Sequence, residues 1–125
     1  MLAYIFWHRP YPAISESEYE STLLRFHRQL AEVSPSGLQA SAAHRISPTP
    51  WLGERGGYED WYFLDAAWAL DPLNRSAASG RMEAPHGAIA PLMETGYGGL
   101  YSLVSGELAH LPRARESWLS RPRGI

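Results

Sequence analysis

The sequence contains no cysteine. Disulfides, iron–sulfur ligation, zinc sites built on sulfur and thiolate nucleophiles are therefore excluded. It also contains no lysine, since all 11 of its basic residues are arginine. This excludes Schiff-base chemistry, a covalent pyridoxal site and the lysine of a phosphate-binding P-loop. Any chemistry has to come from His, Asp, Glu, Tyr, Trp or Arg, or from a bound cofactor.

Strong net charge and long apolar runs are also missing. The 125 residues carry a formal charge of -2, which gives no electrostatic footprint for nucleic acid or anionic lipid. No apolar run approaches the roughly 20 residues that span a bilayer, and residues 1–7 lack the length and the basic flank of a signal peptide. We therefore expect a cytoplasmic protein of one domain, with no nucleic-acid or membrane partner.

The hydrophobic pattern predicts the element order β-α-β-β-α-β. The first strand, "LAYIFWH", is apolar at both parities, which is typical of a strand covered on both faces. Ser15 and Glu18 form a capping box at the start of a helix, whose apolar positions then repeat in steps of three and four up to Val33. The remaining predicted elements are strands at 38–46, 58–66 and 100–106, a helix at 72–79 and a second helical piece at 88–94.

With right-handed crossovers, this order gives an α+β ferredoxin-like fold. Its four-stranded antiparallel sheet would carry both helices on one face. The first, third and fourth strands are apolar on both sides, so the second face would expose more apolar surface than a soluble monomer tolerates. We expect a second subunit to pack there as a homodimer. The alternative is that the C-terminal tail folds over that face.

On this element order, on the two-faced strands and on the stretches "YEDWYFLD" and "APHGAIA", the chain resembles the dimeric α/β-barrel superfamily. "YIFWHRP", "GYEDWY" and "GGLYSL" are similar to a group of its uncharacterised bacterial members. The resemblance implies a ferredoxin-like domain over residues 1–105 that packs sheet against sheet, and an irregular tail over 106–125 that can wrap the partner subunit. The superfamily includes monooxygenases, haem-degrading enzymes, isomerases and stress-induced proteins, so the fold alone does not decide the function.

The haem-degrading members of that superfamily pair a first-strand asparagine with a tryptophan and a helix histidine. Trp61 or Trp68 could supply the tryptophan here, and His86 the histidine. Asn74 is the only asparagine and lies far from the first strand, so the sequence departs from the haem pattern. None of the five histidines is spaced as H-x-H or H-x-x-x-H. We therefore expect no metal site and no cofactor, with a haem-binding or haem-degrading protein as a further alternative.

His8, at the end of the first strand, is the main candidate for chemistry. The third strand of this fold runs beside the first, which should bring His8 and Arg9 near Glu59 and Asp60. A carboxylate beside an imidazole fixes its tautomer, as a general base requires. The predicted catalytic residues are accordingly His8, Asp60 and Glu59. The alternative is a structural ion pair at the margin of the sheet.

A pocket lined by aromatic side chains is predicted beside His8. Tyr4 and Phe6 share its side of the first strand, and the small alanines of the second strand leave room for a cavity. We expect a small hydrophobic or aromatic ligand, and as an alternative a cofactor-independent monooxygenase or isomerase activity. The competing interpretation is that these aromatics are only core. The predicted ligand-binding residues are Tyr4, Phe6, Arg9, Trp61, Tyr62 and His86.

Overall fold

The computed structural model describes residues 1–104, and it has the predicted order of strands and helices. The predicted tail at 106–125 lies outside the described residues. The strands are β1 (Leu2–Pro10), β2 (Leu38–Ile46), β3 (Gly57–Leu64) and β4 (Met93–Ser102), and the helices are α1 (Glu16–Val33), α2 (Leu70–Ala77) and α3 (Glu83–Ile89).

Helix α1 begins where its sequence signal predicts. The Ser15 hydroxyl accepts a hydrogen bond from the backbone N–H of Glu18 at 3.1 Å, which satisfies a donor that the first turn leaves unpaired. The helix ends at Ser34, whose left-handed backbone (φ 50°) directs its N–H to Leu30. Among residues 1–104, no helix is long and apolar enough to cross a membrane. The buried stripe of α1 consists of Tyr19, Leu23, Phe26, His27 and Leu30.

The sheet is antiparallel with strand order β2-β3-β1-β4, which confirms the ferredoxin-like fold. β1 is therefore central, with β3 on one side and β4 on the other. Phe6 lies opposite Asp60, and His8 lies opposite Tyr58. Because cross-strand partners point to the same face of a sheet, these four side chains share one face.

The two faces of the sheet are covered differently. The helices pack on the face that carries Tyr58 and Tyr62. The opposite face carries Ala3, Ile5, Trp7, Trp61 and Phe63, and we call it the second sheet face. Part of this face is covered by the loop between β2 and β3, whose Leu52 is fully buried there. This loop is a cover in addition to the second subunit and the tail, which are the two alternatives that the sequence predicts.

The last part of the described chain differs from its prediction. The helical piece expected at 88–94 is α3, which ends at Ile89, and the strand expected at 100–106 begins already at Met93. The stretch "TGYGG" lies before the predicted strand, and glycine is depleted in strands. Here Gly98 and Gly96 face Tyr4 and Phe6. A Cβ atom at Gly98 would lie 2.0 Å from the Tyr4 hydroxyl, and one at Gly96 would lie 2.4 Å from the Phe6 ring. The glycines are needed because aromatic rings of β1 cross over β4.

Candidate functional site

His8 is completely buried between aromatic rings on the helix-covered face. Its imidazole stacks on Phe6 with centroids 5.4 Å apart and on Tyr58 at 5.8 Å, with interplanar angles of 23° and 16°. Its Nδ1 atom lies 2.5 Å from the hydroxyl of Tyr19, which α1 places over the sheet. The ring is thus fixed in plane and in orientation.

Asp60 joins two histidines in one buried cluster. Its Oδ1 lies 2.9 Å from Nε2 of His8, and its Oδ2 lies 3.3 Å from Nε2 of His27. Both nitrogen–oxygen separations are short enough for an ion pair when the imidazole is protonated. The hydroxyl of Tyr62 donates to Oδ2 at 3.2 Å. We call this arrangement the His8–Asp60–His27 cluster.

The protonation of the cluster follows from opposing effects on Asp60. Burial by itself raises the pKa of a carboxyl group, but His27 and His8 outweigh it, so that the pKa of Asp60 is lower than usual. Burial raises the pKa of Tyr19 and of Tyr62. Asp60 is therefore a carboxylate beside two protonated phenols, and the Tyr19 hydroxyl can donate to Nδ1 of His8 when that imidazole is neutral.

His27 is the functional candidate that the sequence analysis missed. It lies on the buried stripe of α1, stacks on Tyr62 at 5.5 Å and 18°, and places Nδ1 2.7 Å from the hydroxyl of Ser41 on β2. It is not among the residues predicted for the site. One signal was available, because a histidine four residues after Leu23 and three before Leu30 falls inside an apolar stripe, where an imidazole needs a partner.

A cavity of about 360 Å³ lies next to this cluster, between the sheet and the helices. We call it the helix-side cavity. Asp60 lines it, whereas His8 does not. The carboxylate therefore stands between the cavity and the histidine. The apolar part of the wall comes mainly from Phe6, Leu23, Phe26, Leu73, Ile89 and Met93, and the other polar groups come from Tyr4, Tyr62, Asn74 and His86.

The structure brings together five of the nine residues predicted for the site. Tyr4, Phe6, Asp60, Tyr62 and His86 all line the helix-side cavity. None of the alanines of β2 does, so the space arises beneath α1 and α3 instead of beside β2. His8 does not line the cavity, but it contacts Asp60 and Phe6, which both do.

Glu59 and Trp61 lie on the opposite side of the sheet. The Glu59 carboxylate is buried and accepts hydrogen bonds from the indole N–H of Trp7, at 2.6 Å, and of Trp61. Neighbouring residues of a strand point to opposite faces, so only one of the two adjacent acids could meet His8. That acid is Asp60. Trp61 and His86, which the sequence offers for haem, also lie on opposite sides of the sheet, because Trp61 is on the second sheet face and His86 lines the helix-side cavity.

Arg9 is also directed away from His8. Its Nε atom lies 2.9 Å from Oε2 of Glu94 at the start of β4, and not beside Glu59 or Asp60. The register of β1 with β4 shifts between Arg9 and Pro10. Such an irregularity re-aims the side chains next to it. Within residues 1–104, no group of three His, Asp or Glu side chains is arranged to hold a metal ion.

Comparison with known proteins shows the fold of this chain alone. No protein-family model and no curated protein matches the sequence. A protein from Arabidopsis thaliana superposes with a TM-score of 0.65 at 9% identity, covering 86% of this chain and 100% of that one. A dimeric ferredoxin-like protein of unknown function from Thermobifida fusca gives 0.58 at 12% identity, covering 82% and 90%.

A third solved structure has a described activity. It is SnoaB, a cofactor-independent oxygenase from Streptomyces nogalater, with a TM-score of 0.55 at 17% identity over 84% of this chain and 92% of that one. At these identities the likeness is one of fold. It confirms the ferredoxin-like fold expected from the resemblance to the dimeric α/β-barrel superfamily.

Proposed function

We propose that the helix-side cavity binds a small, flat, largely apolar molecule that carries one hydrogen-bond donor. The observation behind this proposal is a cavity of about 360 Å³ whose mainly apolar wall contains one buried carboxylate, that of Asp60. Ligand sites typically have this volume and combine apolar walls with few polar groups. The donor of the ligand would meet Asp60, and its ring would lie against Phe6 and Phe26.

The polarity of the ligand follows from the protonation of the cluster. Asp60 has a lowered pKa and remains ionised, so it can only accept hydrogen bonds. A carboxylate ligand would meet a like charge there. A phenolic hydroxyl group offers a hydrogen-bond donor that this carboxylate can accept.

2-Naphthol, with 2-methoxynaphthalene as the matched probe without a donor, tests this proposal. We expect 2-naphthol to bind measurably by isothermal titration calorimetry and its methyl ether to bind about tenfold or more weakly, since a hydrogen bond to a charged group is worth roughly 1.5–3 kcal/mol. Asp60→Asn should remove most of this difference between the two probes.

Filling the cavity provides the spatial test. Ala77 lines the helix-side cavity, whereas Ala78 is exposed beside it. Ala77→Phe should abolish binding of 2-naphthol, and Ala78→Phe should leave it unchanged. Binding that survives Ala77→Phe, or two probes that bind equally well, would contradict the proposal.

A catalytic function is the second candidate, and the His8–Asp60–His27 cluster favours it. Two imidazoles on one carboxylate at the edge of a cavity form an arrangement that can take and return a proton, as isomerase-type and cofactor-independent oxygenase chemistry requires. Asp60 would contact the ligand, while His8 and His27 would position the Asp60 carboxylate.

Hydrogen exchange on the same probe tests for proton transfer without any co-reactant. In D2O, an active site of this kind should accelerate exchange of the C1 hydrogen of 2-naphthol, followed by NMR, and Asp60→Asn should lower the rate at saturating ligand. If 2-naphthol binds but its exchange is no faster than in buffer, the cavity only binds.

We further propose that the chain forms a homodimer through the second sheet face. Tyr97 and Tyr101 of β4 belong to this face, because they lie opposite Trp7 and Ala3, and their exposed fractions are 50% and 41%. Leu103, the next residue of the same parity, is also exposed. Exposed aromatics continuous with a buried apolar face are typical of an interface between subunits. The Thermobifida protein of the same fold is described as dimeric.

A further inference from the structure

Three arginines line a second cavity, which is separate from the helix-side cavity. It has a volume of about 330 Å³ and lies where β1 and β2 end and β3 begins. We call it the strand-end cavity. Its arginines are Arg9, Arg45 and Arg55, and Glu16 is the one acidic residue that lines it within the described part of the chain.

Two of these arginines share a single carboxylate oxygen. Arg9 Nε lies 2.9 Å from Oε2 of Glu94, and the terminal Nη2 of Arg55 contacts the same atom. Two guanidinium groups therefore face one negative charge, and within residues 1–104 the ion pairs of both are with Glu94 alone. Glu54, the acid next to Arg55 in the loop between β2 and β3, is exposed and makes no ion pair within residues 1–104. This end of the cavity carries a surplus of about one positive charge.

Arg45 is in the opposite situation. Its guanidinium contacts two carboxylates of α1, Glu16 at 2.7 Å and Glu20 at 2.5 Å. Its charge is more than balanced, so it has little capacity for a further anion. The positive end of the strand-end cavity is accordingly defined by Arg9 and Arg55.

The local backbone keeps these two arginines together. The register shift after Arg9 re-aims the end of β1. Gly53 has a positive φ of 80°, and a Cβ atom there would lie 3.3 Å from Nη1 of Arg9. The loop that carries Arg55 can therefore approach the Arg9 guanidinium closely. The lining of the cavity also includes Tyr11, Pro12 and Ile14.

From this geometry we propose that the strand-end cavity binds a small organic monocarboxylate. Its carboxylate is held by Arg9 and Arg55, and its apolar body lies against Tyr11, Pro12 and Ile14. Guanidinium groups match the planar carboxylate with parallel N–H donors. A surplus of one charge suits a monoanion better than a phosphate dianion, for which Glu94 remains a repulsive neighbour.

Titration with benzoate at constant ionic strength tests the proposal, with binding measured by calorimetry and by the ¹H–¹⁵N signals of the arginine Nε groups. We expect benzoate to bind and to shift the signals of Arg9 and Arg55, benzyl alcohol not to bind, and inorganic phosphate to bind more weakly than benzoate. Arg55→Gln should weaken benzoate binding about tenfold or more, because a charged hydrogen-bond partner is lost. Glu94→Gln should strengthen it, because a competing carboxylate charge is removed.

Arg75 and Arg81 offer matched controls, since both are exposed and each is paired with a single acid elsewhere on the molecule. Arg75→Gln and Arg81→Gln should leave benzoate binding unchanged, and so should Ala77→Phe, which fills the helix-side cavity. Circular dichroism would verify that each variant is folded. Absence of benzoate binding, equal losses in all three arginine variants, or tighter binding of phosphate would overturn the proposal.

Discussion

Asp60 is the residue that links the buried histidines to the helix-side cavity. Its carboxylate contacts His8, His27 and Tyr62 while also lining the cavity. A buried carboxylate costs free energy unless its surroundings compensate for the lost hydration. Here two imidazoles and one phenol supply that compensation, so the charge and its partners depend on one another.

Replacement of Asp60 by asparagine should reveal this dependence. The amide keeps the shape of the side chain but directs an NH₂ group at one of the imidazoles and removes the negative charge. We expect the free energy of unfolding at pH 7 to fall by about 1–3 kcal/mol or more, as for other buried polar groups that lose their partners. Urea unfolding measures this free energy. Asp65 is the control, because it is exposed and its carboxylate accepts a hydrogen bond from Gln39. Asp65→Asn should cost less than about 0.5 kcal/mol.

The same pair of proteins should also show a definite pH dependence. Because the pKa of Asp60 is lowered in the folded state, its ionisation stabilises the fold at pH values above its ordinary value of 3.8. This stabilisation is lost as the pH falls through the lower, folded-state value. The stability difference between the native protein and Asp60→Asn should therefore shrink below about pH 3.8. A difference that stays constant or grows toward acid would show that the charge of Asp60 is not what stabilises the cluster.

Individual residues of this site differ in how far the sequence predicts them. The proximity of His8 and Asp60 follows from strand order, because β1 and β3 are neighbours in any sheet of this topology. The contribution of Tyr19 and His27 depends on how α1 is rotated over the sheet. Tyr19 of α1 contacts His8 on β1, 11 residues earlier in the chain, and His27 contacts Asp60 on β3. The hydrophobic periodicity of α1 indicates only that both residues are buried.

Strand β4 shows how one element can be shaped by the side chains of another. The rings of Tyr4 and Phe6 occupy the space above Gly98 and Gly96, where a Cβ atom would lie 2.0 Å and 2.4 Å from their nearest atoms. These glycines weaken the strand signal in the sequence, which is why the start of β4 was predicted seven residues too late. The reason for the glycines lies in the aromatic side chains of β1, so the β4 segment alone does not predict where β4 begins.

Gly98→Ala should therefore act on the helix-side cavity more than on the sheet. The new methyl group would push the Tyr4 ring out of its place above β4 and into the cavity. We expect a stability loss of about 1–3 kcal/mol, typical of overpacking, and a loss of 2-naphthol affinity of about tenfold. Thermal unfolding and calorimetry measure the two effects.

Gly87 provides the control for this change. A Cβ atom there would have nothing within 4 Å, and Gly87 lies inside α3, so Gly87→Ala should stabilise the protein by about 0.5–1 kcal/mol. Its affinity for 2-naphthol should be unchanged. An affinity loss of the same size in both variants would show that Tyr4 is not held in place by Gly98.

If the whole molecule is a homodimer, its mass in solution and its stability both depend on the association of two chains. We expect light scattering to give about twice the chain mass of 14.0 kDa, and the melting temperature to rise with protein concentration. Tyr97→Glu should shift the mass toward the monomer, since it buries a charge in the interface. Leu24→Glu, on a residue exposed on α1, should not. A concentration-independent monomer would contradict the proposal.

The tryptophan residues of the second sheet face are an intrinsic fluorescence probe. Trp7 and Trp61 both donate to Glu59, and Trp51 packs edge-on against Trp7 with centroids 5.2 Å apart. Of the four indoles in the described part of the chain, only Trp68 lies elsewhere, exposed before α2. Indole emission is sensitive to nearby carboxylates and to water. Intrinsic fluorescence should therefore follow events at this face directly, without any attached dye.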